Sequence, residues 1–242
     1  MEINPLISVI TVVKNNTKTL EQTILSVLTQ TYKNSEYIVI DGGSIDGTVD
    51  IIKKYSNKLT YWVSERDTGI FNAMNKGIDK CKGELVGIVN SDDWYEPNTV
   101  EIVVNRYIEE RKKEGVYYGF VKKWKEGKEH TIGRFHHNFP NDHMIQHPTW
   151  FVSNSIYKKF GKFNDSFRTS GDFELFLRLI KNNVKFFPIN AILSNFRMDG
   201  ISTYGYRLVK KEFIEIKYRF GLITKKRYLM WKAHLWLKDK IL

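Results

Sequence analysis

An α/β fold is the class this sequence predicts: a doubly wound, mostly parallel sheet with a small antiparallel part and a C-terminal helical tail. Three observations point there. The first half alternates apolar runs of strand length with helical patterns. Each strand is followed by a helical crossover before the next, so successive strands return parallel to one another. At 242 residues, 42% hydrophobic and 14% aromatic, the chain can bury a large core.

The elements follow in order. Ile7 to Val13 is β-branched and apolar, a buried strand. Thr17 to Gln30 reads as a helix, with Leu20, Ile24, Val27 and Leu28 on one face and Thr17 as its N-cap. Tyr37 to Ile40 is a second strand ending at Asp41, and "GGSIDGT" is a turn in which Asp46 caps a second helix. Leu59 to Val63 is a strand, and Ile70 to Lys80 a helix behind the loop "SERDTG". Leu85 to Val89 is a fourth strand, and Pro97 is expected to open a helix running to about Lys113. Beyond it, "GVYYGFVKKW" and "EHTIGRF" read as antiparallel strands. "MIQHPTWFVS" reads as a strand reaching a helix start, and "SGDFELFLRLIKNNVKFF" as a helix and a strand. "AILSNFRMDGIST" reads as a strand and a polar turn.

Composition narrows the function. Cys81 is the single cysteine, which excludes an intramolecular disulfide, and no Cys/His cluster has zinc spacing. No apolar run reaches the ~18 residues of a membrane span. The N-terminal apolar run lacks a basic leader, and a cytoplasmic chain is expected. Residues 205–242 hold eleven Lys/Arg against three Asp/Glu, and the rest holds 27 against 24. A body so balanced argues against a nucleic-acid partner.

In doubly wound sheets, ligands bind beyond the carboxyl ends of the strands. The polar residues there are Thr11 to Asn16, Asp41, Glu65 to Asp67 and Asn90 to Asp93. In "GELVGIVNSDDWYEP" an apolar run meets two adjacent carboxylates, Asp92 and Asp93. A divalent cation would offset their repulsion, and hard oxygen ligands on a short turn suit Mg2+ or Mn2+. The alternative is a helix cap beside a solvated neighbour. The segment "TVVKNNTKT" after the first strand has no glycine, so neither a dinucleotide fingerprint nor a P-loop is present there.

Five segments carry a resemblance in order and spacing: "SVITVVKNN", "VIDGGSIDGT", "SERDTGIFNAMNKGI", "GELVGIVNSDDWYEP" and "SGDFELFLRL". Over roughly residues 5 to 205 the chain resembles the nucleotide-sugar glycosyltransferases of family 2, with the GT-A fold. The resemblance implies a catalytic domain over 1–205, split into a nucleotide-sugar half (1–115) and an acceptor half (116–205), with a helical extension over 206–242. It implies an inverting enzyme using Mn2+ or Mg2+. One sugar would move from a nucleoside diphosphate sugar, UDP favoured, to a hydroxyl of a glycan or lipid-linked acceptor in surface polysaccharide synthesis. Thr11 and Val13 match positions that hold the nucleoside, and Asp41 and Asp67 match positions that touch the base. Asp92 matches a ribose or metal contact, Asp93 a metal ligand and Asp172 the catalytic base. Asn90 stands where the family often has an aspartate, and "VVKNN" departs from its usual turn. The Q-x-x-R-W of processive members is absent, which implies one transfer per encounter.

The chemistry asks for a carboxylate base in its own right, because an attacking hydroxyl must lose its proton. Glu174 is the alternative to Asp172, and a plain helix cap is the other reading of Gly171-Asp172. His147 and Trp150 are expected on the acceptor side, Trp150 stacking on a sugar. Arg197 and Ser202 are expected in a loop that folds over the diphosphate. The basic, Trp- and Tyr-bearing tail has two readings: an interfacial membrane helix, or a helical hairpin packed on the body or on a second copy. The rivals to a glycosyltransferase are a nucleotidyltransferase and a non-catalytic module that binds nucleic acid or membrane through the tail.

Overall fold

The computed structural model describes residues 4–138, 144–198 and 206–241. The described strands form one mixed sheet: β1 (Ile7–Val13), β2 (Ser35–Asp41), β3 (Tyr61–Ser64), β4 (Leu85–Ile88), β5 (Trp94–Tyr95), β6 (Val116–Lys125), β7 (Lys128–Gly133), β8 (Phe151–Ser153) and β9 (Phe186–Arg197). Their order is β3-β2-β1-β4-β8-β6-β9-β5, with β7 hairpinned onto β6. Strands β1 to β4 are parallel. Strand β8 is antiparallel to both β4 and β6, while β6 and β9 run parallel. The helices are α1 (Leu20–Leu28), α2 (Thr48–Tyr55), α3 (Ile70–Lys80), α4 (Thr99–Glu109), α5 (Asn154–Phe160), α6 (Gly171–Lys181), α7 (Tyr206–Arg219) and α8 (Lys225–Ile241).

Alternation along the strands builds two cores, because successive side chains leave opposite faces. Ile10, Val12, Ile38 and Ile40 pack with Phe71, Met74 and Ile78 of α3 and with Phe173 and Phe176 of α6. Val9, Val13, Tyr37 and Val39 pack with Leu20, Ile24 and Val27 of α1, Ile52 of α2, and Val100 and Val103 of α4. The sheet is thus covered on both faces, as a parallel sheet requires.

Two helix starts differ from the expectation. Helix α1 begins at Leu20 rather than Thr17, because the Asn16 carboxamide takes the Thr19 N–H (3.2 Å) and builds a turn ahead of the helix. Helix α4 begins at Thr99, because the Pro97 carbonyl is drawn off to the Thr31 N–H (3.1 Å). Between them, Trp94–Tyr95 forms an unforeseen strand antiparallel to β9. The tail is a hairpin. Helix α7 lies on α6 through Phe213, stacked on Phe173 at 4.0 Å, and α8 folds back on α7 through the stacked Tyr218 and Tyr228.

Candidate active site

The carboxyl ends of β1, β2 and β3 form one edge, with Val13, Asp41 and Ser64 in register. Asp41 is fully buried. Its Oδ2 accepts the Gly43 and Ser44 N–H groups (3.1 and 2.9 Å) and the Ser64 hydroxyl (2.6 Å). Its Oδ1 accepts the Ser44 hydroxyl. Four accepted bonds use about the whole capacity of a carboxylate, so Asp41 shapes the "GGS" turn. Thr11 is buried too, sharing a hydrogen bond with the Tyr37 hydroxyl (2.9 Å), and Val13 belongs to the core. Asp67 lies against Gly42 on the same edge, its side chain 7% exposed. Its Oδ1 accepts the Gly69 N–H (3.1 Å), and Lys14 lies 4.0 Å away. A Cβ on Gly42 would fall 2.1 Å from Asp67 Oδ2, so only glycine admits Asp67 there.

The acidic turn after β4 is held from two directions. From α1 and the turn ahead of it, the Asn16 amide (3.1 Å) and the Thr19 and Thr23 hydroxyls (2.9 and 3.0 Å) converge on the Ser91 carbonyl. From the second half, the Arg197 N–H donates to Asp93 Oδ1 at 3.0 Å, reaching across 104 residues. Asp93 is 1% exposed, and its Oδ2 has no hydrogen-bond partner; nor does the buried Asn90 Oδ1 on the same turn. Burial, and then the neighbouring Asp92 charge, raise the Asp93 carboxyl well above the usual carboxylate range. Burial also raises Asp92, against the pull of Arg197. Two unpartnered, acceptor-only oxygens beside a half-buried carboxylate suit a hard cation. Among the described residues no group of three or more His, Cys, Asp or Glu is placed to hold a metal ion, so the two aspartates would need ligands from elsewhere to complete a cation's shell.

The two carboxylates near the α6 N-terminus have different surroundings. Glu174 is engaged in a two-pronged pair with Arg178 (3.0 and 2.8 Å), whose guanidinium also holds the carbonyls of Phe160, Gly161 and Lys162. Asp172 accepts the Phe173 N–H (2.8 Å). Burial of its carboxyl raises it to about 6. Of the two, Asp172 has the chemistry of a general base.

Other expectations are corrected. Trp150 is a core residue, 2% exposed, with its N–H given to the Ile145 carbonyl (3.2 Å), so it offers no stacking face to a sugar. His147 is buried edge-on against Trp150 and Phe163, and burial lowers it to about 4. Arg197 does not stand in a free loop: its guanidinium packs over Trp94 (4.6 Å) and reaches Gln22. Ser202 lies outside the described residues. Glu212 of α7 was not foreseen. It accepts the N–H groups of Arg168, Thr169 and Ser170, just ahead of Asp172.

The sequence model "Glycosyl transferase family 2" matches residues 8–182. An uncharacterized glycosyltransferase of Rickettsia typhi is 30% identical over 98% of this chain and 79% of its own length. Among solved structures, S. aureus TarS 1–349 in complex with UDP-GlcNAc superposes with a TM-score of 0.72 at 17% identity, over 92% of this chain and 69% of that one. The mannosyltransferase PcManGT of Pyrobaculum calidifontis, in complex with GDP-Man and Mn2+, gives 0.68 at 15% identity, over 97% and 70%. With the match spanning most of the sheet and the acidic turn, this chain belongs to glycosyl transferase family 2 and is a glycosyltransferase of the GT-A fold.

Proposed function

We propose that this glycosyltransferase is inverting, metal-dependent and non-processive, moving one sugar from a nucleoside diphosphate sugar, UDP-linked by preference, to a hydroxyl of a glycan or lipid-linked acceptor. The observation that carries the proposal is the pair of buried, unpartnered oxygens, Asn90 Oδ1 and Asp93 Oδ2, at the end of β4. Asp93 and Asp92 would hold Mg2+ or Mn2+, with the substrate diphosphate completing the shell. Bound there, the cation would stabilise the negative charge that develops on the leaving diphosphate.

The remaining work falls to the chain's own groups. Asp67 meets the base at the β1–β2–β3 edge. Asp41 orders the turn below it, and a base N–H would reach Asp41 only by replacing the Ser44 or Ser64 hydroxyl. Contacts from Thr11 and Val13 are main-chain ones, since both side chains are buried. Asp172 takes the acceptor hydroxyl proton as the acceptor oxygen bonds to the anomeric carbon. The bond from that carbon to the diphosphate breaks on the opposite face, and its electron pair leaves with the diphosphate. A panel of UDP-, GDP- and dTDP-sugars with Mg2+ or Mn2+, scored by nucleotide release, tests the reading. Full activity in Asp93→Ala, or no donor used, refutes it.

A further inference from the structure

We infer that Glu212 is a positioning residue for Asp172, and that α7 belongs to the catalytic unit. The inference rests on the base reading above. Glu212 is 9% exposed although it lies in a basic tail. Its Oε1 accepts the Arg168 N–H (2.8 Å). Its Oε2 accepts the Thr169 N–H (2.9 Å), the Thr169 hydroxyl (2.8 Å) and the Ser170 N–H (2.9 Å). Three consecutive amides turned toward one carboxylate form an anion-binding nest, and a buried charge so paired is costly to disturb.

That nest sets the aim of Asp172. Ser170 sits at the N-cap of α6 and makes no side-chain cap bond, and Glu212 fixes the three residues that lead into the helix, Arg168 to Ser170. The adjoining residues are gripped on both sides. A Cβ on Gly171 would come within 2.8 Å of the Phe71 ring of α3, while Phe173 lies flat on Phe213, the neighbour of Glu212. The Asp172 carboxyl is bonded to its own backbone at Phe173 N–H, so its direction follows the segment that Glu212 holds. Ser170, whose N–H Glu212 accepts, is two residues ahead of Asp172, and the Glu212 charge is a minor addition to the burial that raises Asp172.

The test uses the full chain and three measurements on Glu212→Gln, whose NH2 faces N–H donors where the carboxylate accepted them. Amide exchange at Arg168, Thr169 and Ser170 should accelerate by about tenfold or more, while Gly43 and Ser44 keep their rates. For release of UDP from UDP-GlcNAc, or of GDP from GDP-mannose, kcat should fall by about tenfold with donor KM within about twofold. In the Asp172→Asn background the same substitution should cost less than about twofold, because Glu212 acts through Asp172. An equal loss in both backgrounds, or a loss carried by donor KM, overturns the inference. If Glu212→Gln does not fold, Thr169→Val decides: it removes one donor, and an unchanged kcat overturns the inference as well. Full activity in Asp172→Asn would sink the base reading instead. If the wild type uses neither donor, amide exchange alone decides, and unchanged rates at Arg168 to Ser170 refute the positioning role.

Discussion

Raising the pH from 5 to 7 should increase turnover about tenfold, and Asp172 is the reason. Burial lifts its carboxyl from an ordinary 3.8 to about 6. A base must be ionised to accept a proton, so the active fraction is about 9% at pH 5 and about 91% at pH 7. An unshifted carboxylate would already be about 94% ionised at pH 5 and would give a flat profile. The assay is nucleotide release at saturating donor and Mg2+, read as kcat across that range. The same shift bears on stability. The folded carboxyl keeps its proton to higher pH than the unfolded chain does. Its contribution is therefore fully present below about pH 4 and is lost as pH rises through about 6, a change of up to about 3 kcal/mol. Asp172→Asn keeps an oxygen for the Phe173 N–H and removes the charge. It should abolish about 10²- to 10⁴-fold of activity while raising thermal stability at pH 7.5. A flat profile between pH 5 and 7, or an Asn variant that melts lower than wild type, refutes the reasoning.

Three further outcomes follow from the site. Asp93→Asn should remove the thermal shift given by UDP with Mn2+, which for ligand at about a hundred times its Kd is worth about 2.7 kcal/mol; a shift equal to wild type would show that Asp93 binds no metal. Gly42→Ala should displace the Asp67 carboxylate and weaken UDP binding by calorimetry about tenfold or more, and unchanged binding would remove Asp67 from the nucleotide site. No described helix is long and apolar enough to cross a membrane, and the basic tail is tested for surface contact. Flotation with anionic vesicles should recover the full chain and fall as salt rises; equal recovery from neutral vesicles would refute an electrostatic contact.

The first half was legible because its signals are local. The β-branched runs of β1, β2 and β4 and the amphipathic period of α3 lie within a few residues of one another, and the structure keeps them nearly unchanged. The acidic turn was legible as a conflict, two carboxylates at a buried strand end. What holds that turn was not legible. The Arg197 N–H that meets Asp93 is a backbone group 104 residues away, and no side-chain pattern encodes it. Trp150 shows how the same residue type misleads: a tryptophan beside a histidine suits a sugar platform, but only tertiary packing revealed that both are in the core. Asp41 was recognised as important, yet sequence cannot count the four hydrogen bonds that already occupy it. Glu212 carried no signal, as an acidic residue among lysines 40 positions beyond Asp172.

In the proposed mechanism, one continuous stretch of the second half would couple leaving-group and acceptor chemistry. Helix α6 carries the proposed base in its first turn, and the strand that follows it, β9, ends at the residue whose N–H holds Asp93. Along β6, strand β9 changes register between Tyr118 and Val121, and past that irregularity it pairs Asn195 with Trp94 beside the acidic turn. Any change that slips β9 by one residue would turn its buried and exposed faces over and would withdraw the Arg197 N–H from Asp93. Gly119 sits at that irregularity, and a Cβ there would come within 2.6 Å of the Leu193 side chain and 2.7 Å of the Ala191 carbonyl. Gly119→Ala should therefore lower the affinity for Mn2+ with UDP even though it lies outside the nucleotide edge. Calorimetry that finds that affinity unchanged in a folded Gly119→Ala protein would show that β9 and the acidic turn are not mechanically linked.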